Sequence, residues 1–550
     1  MIYPEVPVGA VLAGSARRFG ERVVLHYYGR ELTFTQLHAR ACAFANALRG
    51  AGLGRGDVVA IHLPNCPQYA IAYFGILLAG CTFSPANPLL PPADLAAQLA
   101  DSGAVATLSW ASSYPTLAAV RERTGVRLAL VTDKEQALDP SVRLAPESIE
   151  GAEDFEEFHA AAPTTQPVVE LDVHRDLAHL AFTGGTTGRS KGVQLTHRNV
   201  VVNLLQFAHL NSGAPGELDA EGGLVLGAQG PPEEFPVRFG TASVVNITPW
   251  FHAMGTVGGL SGMLLSGTTS VLHERFDPAG YLADAERFRV ASISGAPTLF
   301  AALLRHPDLA TRELSAVQSL SSGGAPMPVE LLEKLQRRFG ADIVVIEGYG
   351  LTEATSGVAL NPVAASGVRK AGTVGRPLVD TEVRIVDDEG RPVPAGTEGE
   401  VTVRGPQVMV GYKDRPEETA AALRDGWLHT GDVGVLDEDG YLRIVDRKKD
   451  MLIYKGYNVY PRELEELLFR QPGVVGAAVV GRPDPEVGEL AVAFVVAPGR
   501  TAEDAEAIRA EVNAQVLPYK RIREIRLVDE MPLSGAGKVL KRNLKELLGR

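Results

Sequence analysis

Cysteine is scarce: Cys42, Cys66 and Cys81 are the three in 550 residues. Their spacing fits no metal site and too few are present for a disulfide frame, so reduced thiols and a cytoplasmic protein are expected. Long apolar runs are also missing. The most apolar segment, Ala70 to Phe83, falls short of the ~20 residues a membrane span needs and reads as a buried helix. Met1 to Gly20 holds no apolar stretch of signal-peptide type and ends Arg17-Arg18-Phe19-Gly20, so no secretory leader is expected. An excess of positive charge is absent too. At a net charge of -13 the surface as a whole should repel nucleic acid and anionic lipid, which leaves small molecules as the expected partners. No internal repeat is evident.

What is present is a typical globular balance, 45% hydrophobic and 22% charged, in a chain too long for one ordinary core. At least two domains are expected. One stretch stands out: Phe182-Thr183-Gly184-Gly185-Thr186-Thr187-Gly188-Arg189-Ser190-Lys191-Gly192. Both flanks, Leu177 to Ala181 and Val193 to Thr196, read as strands, so it is read as a hairpin loop. Glycines free backbone N–H groups to point at an anion, hydroxyls add donors, and the cations add charge. That suits polyphosphate. It is not a Walker A loop, in which Gly-Lys-Ser/Thr opens a helix.

Upstream, two short strands around Tyr28-Gly29-Arg30 lead into a helix from Thr35 to Gly50, with Thr33 or Thr35 as N-cap. Strands at Val58 to Leu63 and Ala104 to Ser109 alternate with helices at Pro67 to Ala79 and Asp94 to Ser102, an α/β pattern with a largely parallel sheet. Residues 133–170 are polar without a clear period and are expected to be a surface excursion. Residues 211–240 are rich in Gly and Pro and carry Glu217, Asp219, Glu221, Glu233 and Glu234. They are expected to form a mobile surface loop, with a lid as the second reading. After a strand near Val244 comes Thr248-Pro249-Trp250-Phe251-His252-Ala253-Met254-Gly255, then a small-residue helix. Two further Gly-rich turns follow strands: Gly323-Gly324-Ala325-Pro326 and Glu347-Gly348-Tyr349-Gly350-Leu351-Thr352-Glu353. Together the three turns are expected to line one sheet edge, as at a nucleotide cleft.

Beyond Gly375 short alternating strands suggest a β-rich subdomain, about 376–447. The charged run Asp446-Arg447-Lys448-Lys449-Asp450 reads as a linker. Residues 448–550 read as a compact α+β domain that ends near Ser534-Gly535-Ala536-Gly537-Lys538, a lysine on a glycine-flanked turn.

These motifs, in this order, resemble the adenylate-forming superfamily, and most closely its AMP-forming acyl- or aryl-CoA ligases. The resemblance covers nearly the whole chain. It implies a large multi-subdomain N-terminal α/β domain (1–447) and a small mobile C-terminal α+β lid (448–550). It implies ATP, Mg2+ and coenzyme A as the reagents, with CoA as co-substrate. A carboxylate attacks the α-phosphate of ATP and pyrophosphate leaves; a thiol then attacks the acyl-adenylate and AMP leaves. Two relatives of that reaction stay open: an enzyme that stops at acyl-AMP, and one that hands the acyl group to a separate carrier protein.

Roles follow residue by residue from the same resemblance. Thr183, Gly184, Gly185, Thr186, Thr187, Gly188 and Lys191 match the phosphate loop, with Thr187 beside the metal. Gly323, Gly324, Ala325 and Pro326 match the turn next to the adenine. Glu347, Gly348, Tyr349 and Gly350 carry the ring that stacks on that base. Thr352 would contact the α-phosphate and Glu353 would hold Mg2+. Asp432 matches the ribose-binding carboxylate, Arg447 its neighbour, and Lys449 the hinge. Lys538 matches the lysine that bridges the attacking carboxylate and the α-phosphate. His252 matches the mouth of the acyl pocket. Lys455 and Gly456 match the face that replaces Lys538 and shapes the thiol channel. Two positions depart from the pattern: Gly184 stands where Ser is common, and Ser190 where Pro is usual. Fatty, aromatic and polycyclic acids all remain open, as does monomer or homodimer.

Overall fold

The computed structural model describes residues 1–183, 190–323, 327–340, 343–534 and 537–548. Two large sheets, a smaller β-sheet and a C-terminal α+β domain make up the chain. The α/β class and the division into a large N-terminal and a small C-terminal domain are as expected.

The eight-stranded sheet centres on Val58–His62, Thr82–Pro85, Ala104–Trp110 and Leu128–Thr132, all parallel. Every residue of Val58–His62 is buried, as a strand covered on both faces requires. On the far side of Thr82–Pro85 comes Leu177–Phe182, which forms an antiparallel hairpin with Gly192–Thr196. Pairing of Phe182 with Gly192 puts the glycine-rich stretch at the hairpin tip, as its sequence predicts. The two-residue strand Gly411–Tyr412 completes that edge.

The nine-stranded sheet runs parallel through Val344–Tyr349, Ser319–Ser322, Ser292–Gly295, Ser243–Asn246, Thr269–Leu272 and Val23–Tyr27. Between the sheets lies the main core, which includes the helix Pro67–Leu78, apolar and buried all round. Thr33 caps the helix Phe34–Gly50 by a capping box with Gln36, their reciprocal bonds measuring 3.2 and 3.1 Å.

Three expectations are corrected. The three Gly-rich turns do not share one sheet edge. The turns after Ser319–Ser322 and Val344–Tyr349 follow adjacent strands of the nine-stranded sheet, whereas the loop after Leu177–Phe182 belongs to the eight-stranded one. Nor are residues 133–170 merely superficial. Asp154 caps the helix Phe155–Ala160 and accepts from Gln136 Nε2 at 2.7 Å and from Leu144 N at 2.9 Å. Phe155 is fully buried, with its ring 5.0 Å from that of Phe44. The polarity of the segment serves internal hydrogen bonds, and its elements are too short to show a period.

Residues 211–240 are likewise no loose loop. They contain the hairpin Gly216–Leu218 and Leu224–Leu226, with Leu224 and Leu226 buried. Asp219 is held by two bonds from Arg17, at 2.7 and 2.9 Å, and Glu234 accepts from Ser366 Oγ at 2.8 Å. The acids anchor the segment. Past His252 the chain winds as a wide π-helix, Met254–Gly262.

A five-stranded sheet follows, with Glu382–Val386 at one edge, then Gly399–Arg404 and Trp427–Leu436, and Leu442–Arg447 paired to the last of these. The C-terminal domain packs the helices Pro461–Phe469 and Ala502–Ala514 against the hairpin Gly476–Asp484 and Gly488–Val496, with Lys541–Leu548 on its other face. Among the described residues no helix is long and apolar enough to cross a membrane.

Candidate active site

Thr183 and Lys191 close the base of the glycine-rich loop. Thr183 N donates to Lys191 O at 3.1 Å, and Lys191 N to Thr183 Oγ1 at 3.3 Å. Ser190, in the position where Pro is usual, donates from its hydroxyl to Thr183 O. That bond restrains the loop base in place of a proline ring. Gly184, Gly185, Thr186, Thr187 and Gly188 lie outside the described residues, as do Gly324, Ala325 and Pro326. Gly323 is described; a Cβ there would stand 2.9 Å from the sulfur of Met254.

The strand Val344–Tyr349 delivers the next group. Gly350 follows it at a point where a Cβ would lie 1.6 Å from Ser356 O, so only glycine lets the chain turn back on itself there. Glu353 lies beside the strand Gly411–Tyr412. Its Oε1 accepts from Tyr412 OH at 2.8 Å, and its backbone oxygen accepts from Met409 N at 2.8 Å. Lys191 Nζ in turn sits 4.5 Å from the centre of the Tyr412 ring. One tyrosine thus touches both the loop lysine and the glutamate.

Tyr349 donates to Asp432 Oδ2 at 2.5 Å. Asp432 and Arg447 face each other across the strands Trp427–Leu436 and Leu442–Arg447, with Arg447 Nε 3.2 Å from Asp432 Oδ1. Burial and the Asp432 charge hold the Tyr349 phenol well above its ordinary range. Burial also pushes the Glu347 carboxyl up to about 7; the bond it accepts from Met327 N is long, at 3.3 Å.

Lys538 reaches this cluster from the C-terminal domain. Its turn is closed by Ser534 N donating to Lys538 O at 2.7 Å, and a Cβ on Gly537 would stand 3.2 Å from Thr298 Oγ1 of the large domain. Burial pushes the Lys538 ammonium down to about 8. Arg447 adds to that shift, while Asp432 and Glu353 oppose it. The same lysine and burial hold His252 neutral, its imidazole pushed down to about 3. Burial and the neighbouring Arg447 lower Lys449 as well. The carboxylates of two motifs and His252 therefore lie within electrostatic reach of Lys538, a lysine predicted from a distant turn.

Lys455 and Gly456 are not part of that set. They form the exposed turn between Leu452–Tyr454 and Tyr457–Val459, with φ of 49° and 82°. Trp250 is a core residue: it is fully buried, and its ring meets Tyr69 edge-on at 5.6 Å. Tyr412 escaped the sequence reading. Its only local signal is a two-residue strand, and its importance comes from pairing with Val193.

For a divalent cation the donor set is lean. Among the described residues no three His, Cys, Asp or Glu side chains gather as a preformed metal site. Glu353 offers a single carboxylate, hydrogen-bonded to Tyr412. That fits Mg2+, which commonly takes one or two carboxylates and completes its shell with substrate phosphates and water. The three cysteines are buried, and burial pushes Cys42 and Cys81 up to about 12, so neither is a ready nucleophile.

Comparison with known proteins identifies the family. The AMP-binding enzyme family model matches residues 12–413, and the AMP-binding enzyme C-terminal domain model matches residues 463–538. A long-chain-fatty-acid–CoA ligase of Bacillus subtilis is 35% identical over 557 residues, covering 99% of this chain and 95% of that protein. A feruloyl-CoA synthase of Amycolatopsis is 35% identical over 537 residues, 97% of each chain. The structure of ATP-bound MatB from Rhodopseudomonas palustris superposes with a TM-score of 0.84 at 26% identity, covering 98% of this chain and 99% of that one. The chain belongs to the AMP-binding, adenylate-forming enzyme family.

Proposed function

We propose that this chain is an AMP-forming carboxylate–CoA ligase and that the cluster around Lys538 is where an apolar acid is adenylated. The observation that carries the reading is the placement of Lys538, from the small domain, among Asp432, Glu353, Arg447 and His252 of the large one. Lys538 pairs the substrate carboxylate with the α-phosphate and offsets the charge that builds as they approach. Thr183, Lys191 and the loop between them hold the β- and γ-phosphates. Asp432 accepts from the ribose hydroxyls, and Tyr349 packs on the base. Thr352 contacts the α-phosphate. Mg2+ held by Glu353 would neutralise phosphate charge. The neutral His252, the small Gly323 and the thioether of Met254 suit an uncharged acyl chain.

In this arrangement the Lys455-Gly456 turn is exposed. For the second half-reaction the small domain turns about Lys449 and exchanges the two faces. The thiol sulfur then bonds to the acyl carbon, and AMP leaves with the electron pair of the anhydride C–O bond.

Mass spectrometry of one reaction tests this: enzyme, Mg-ATP, CoA and a panel of octanoate, palmitate, benzoate, anthranilate and ferulate. An acyl-CoA product with AMP is expected. Accumulation of acyl-AMP alone would assign the second step to another acceptor, such as a carrier protein. Absence of both would overturn the reading.

A further inference from the structure

Arg462 opens the small-domain helix Pro461–Phe469, yet its polar contacts reach back across the linker. Its backbone N donates to Asp446 Oδ2 at 3.0 Å, and its Nη1 donates to Ile444 O. Nε is steadied by Glu466 of the same helix, 3.2 Å away. The charge of Arg462 also opposes the rise that burial imposes on the Glu347 carboxyl of the large domain. The same helix grips the segment that carries Lys538: Lys541 Nζ lies 2.8 Å from Glu465 Oε1, and both are largely buried. One helix therefore carries both Arg462, bonded to Ile444 and Asp446, and Glu465, paired with Lys541 three residues beyond Lys538.

Ile444 and Asp446 precede Lys449; Arg462, Glu465 and Lys541 follow it. Any rotation about Lys449 that withdraws Lys538 separates the two sets. It strips Ile444 O and the buried Asp446 of a donor, and buried polar groups do not lose such partners freely. We propose that Arg462 is a positioning residue, a latch that holds the small domain in the pose that inserts Lys538. This rests on the two-pose reading above. Weakening the latch should trade one half-reaction against the other, since a smaller share of molecules would be poised for adenylation and a larger share for thioester formation.

The experiment measures both half-reactions separately with the panel acid that wild type converts fastest. ATP–pyrophosphate exchange reads the first, and single-turnover conversion of the matching synthetic acyl-AMP with CoA reads the second. Arg462→Ala is expected to lower exchange about tenfold through kcat, the loss of roughly one charge-assisted bond, without slowing thioester formation. Arg462→Lys, which can still donate to Ile444 O, should recover most of the exchange rate. Melting of the alanine variant within about 3 °C of wild type would place the effect outside global stability. Unchanged exchange, or an equal fall in both half-reactions, would overturn the latch. Lys538→Ala in the same assay separates the two levels: loss of both half-reactions there would overturn the two-pose reading, and the latch with it.

Discussion

Tyr349 and Asp432 come from strands of different sheets and meet in one 2.5 Å hydrogen bond, phenol to carboxylate. That bond fixes one oxygen of the carboxylate while Arg447 holds the other at 3.2 Å. Tyr349→Phe keeps the ring and removes the donor. A bond to a charged group is worth on the order of 1.5–3 kcal/mol, so KM for ATP should rise about tenfold or more while the fold is kept. Steady-state kinetics with varied ATP measures it, and an unchanged KM would remove Tyr349 OH from the account.

Tyr412 makes two contacts that can be separated. Tyr412→Phe keeps the ring beneath Lys191 and drops the bond to Glu353; Tyr412→Leu drops both. Mg2+ titration of the exchange rate should show a weaker apparent metal affinity in both variants. Only the leucine variant should also weaken ATP binding in calorimetry without metal. The expected steps are about 1 kcal/mol each. Identical behaviour of the two variants would mean the ring contact with Lys191 contributes nothing.

Lys538 must carry its proton to bridge two anions. Burial pushes it down to about 8, so the group is charged below that pH and neutral above it. The kcat/KM for adenylation should therefore fall above pH 8, by about tenfold per unit once the limb is reached. Lys538→Arg should flatten that limb, because a guanidinium stays charged. Glu347→Gln should leave the limb in place, which separates it from the second group that titrates nearby. A profile level to pH 10 in the wild type would contradict the assignment.

Gly14 tests the packing of residues 211–240. A Cβ there would stand 2.2 Å from Leu224 O, and backbone cannot rotate away as a side chain can. Gly14→Ala should cost about 1–3 kcal/mol in denaturant unfolding, with KM for ATP unaltered. An unchanged midpoint would show that the hairpin is not tied to the helix Gly9–Phe19.

How much of this was legible in the sequence depended on distance along the chain. The hairpin tip, the capping box at Thr33 and the turns around Gly323 and Tyr349 are local, and their composition announces them. Lys538 could be assigned by resemblance because its turn has a recognisable texture. Tyr412 and Arg462 could not. Tyr412 matters through antiparallel pairing with Val193, and Arg462 through carbonyl and carboxylate groups on a strand of another domain. Neither relationship leaves a periodicity. The hairpin at 216–226 was hidden for a related reason: strands of three residues cannot display alternation, and their acids look like solvation until Arg17 is found against Asp219. The single-edge picture of the three turns failed because strand order within a sheet follows topology, which local texture does not encode.

The measurement that bears most directly on the central claim is the pair of half-reactions of Lys538→Ala. If Lys538 serves adenylation in the pose described, ATP–pyrophosphate exchange should fall by about a thousandfold or more, as loss of a transition-state electrostatic contact does, while supplied acyl-AMP is still converted to acyl-CoA. Exchange at the wild-type rate would show that Lys538 is a bystander at this site.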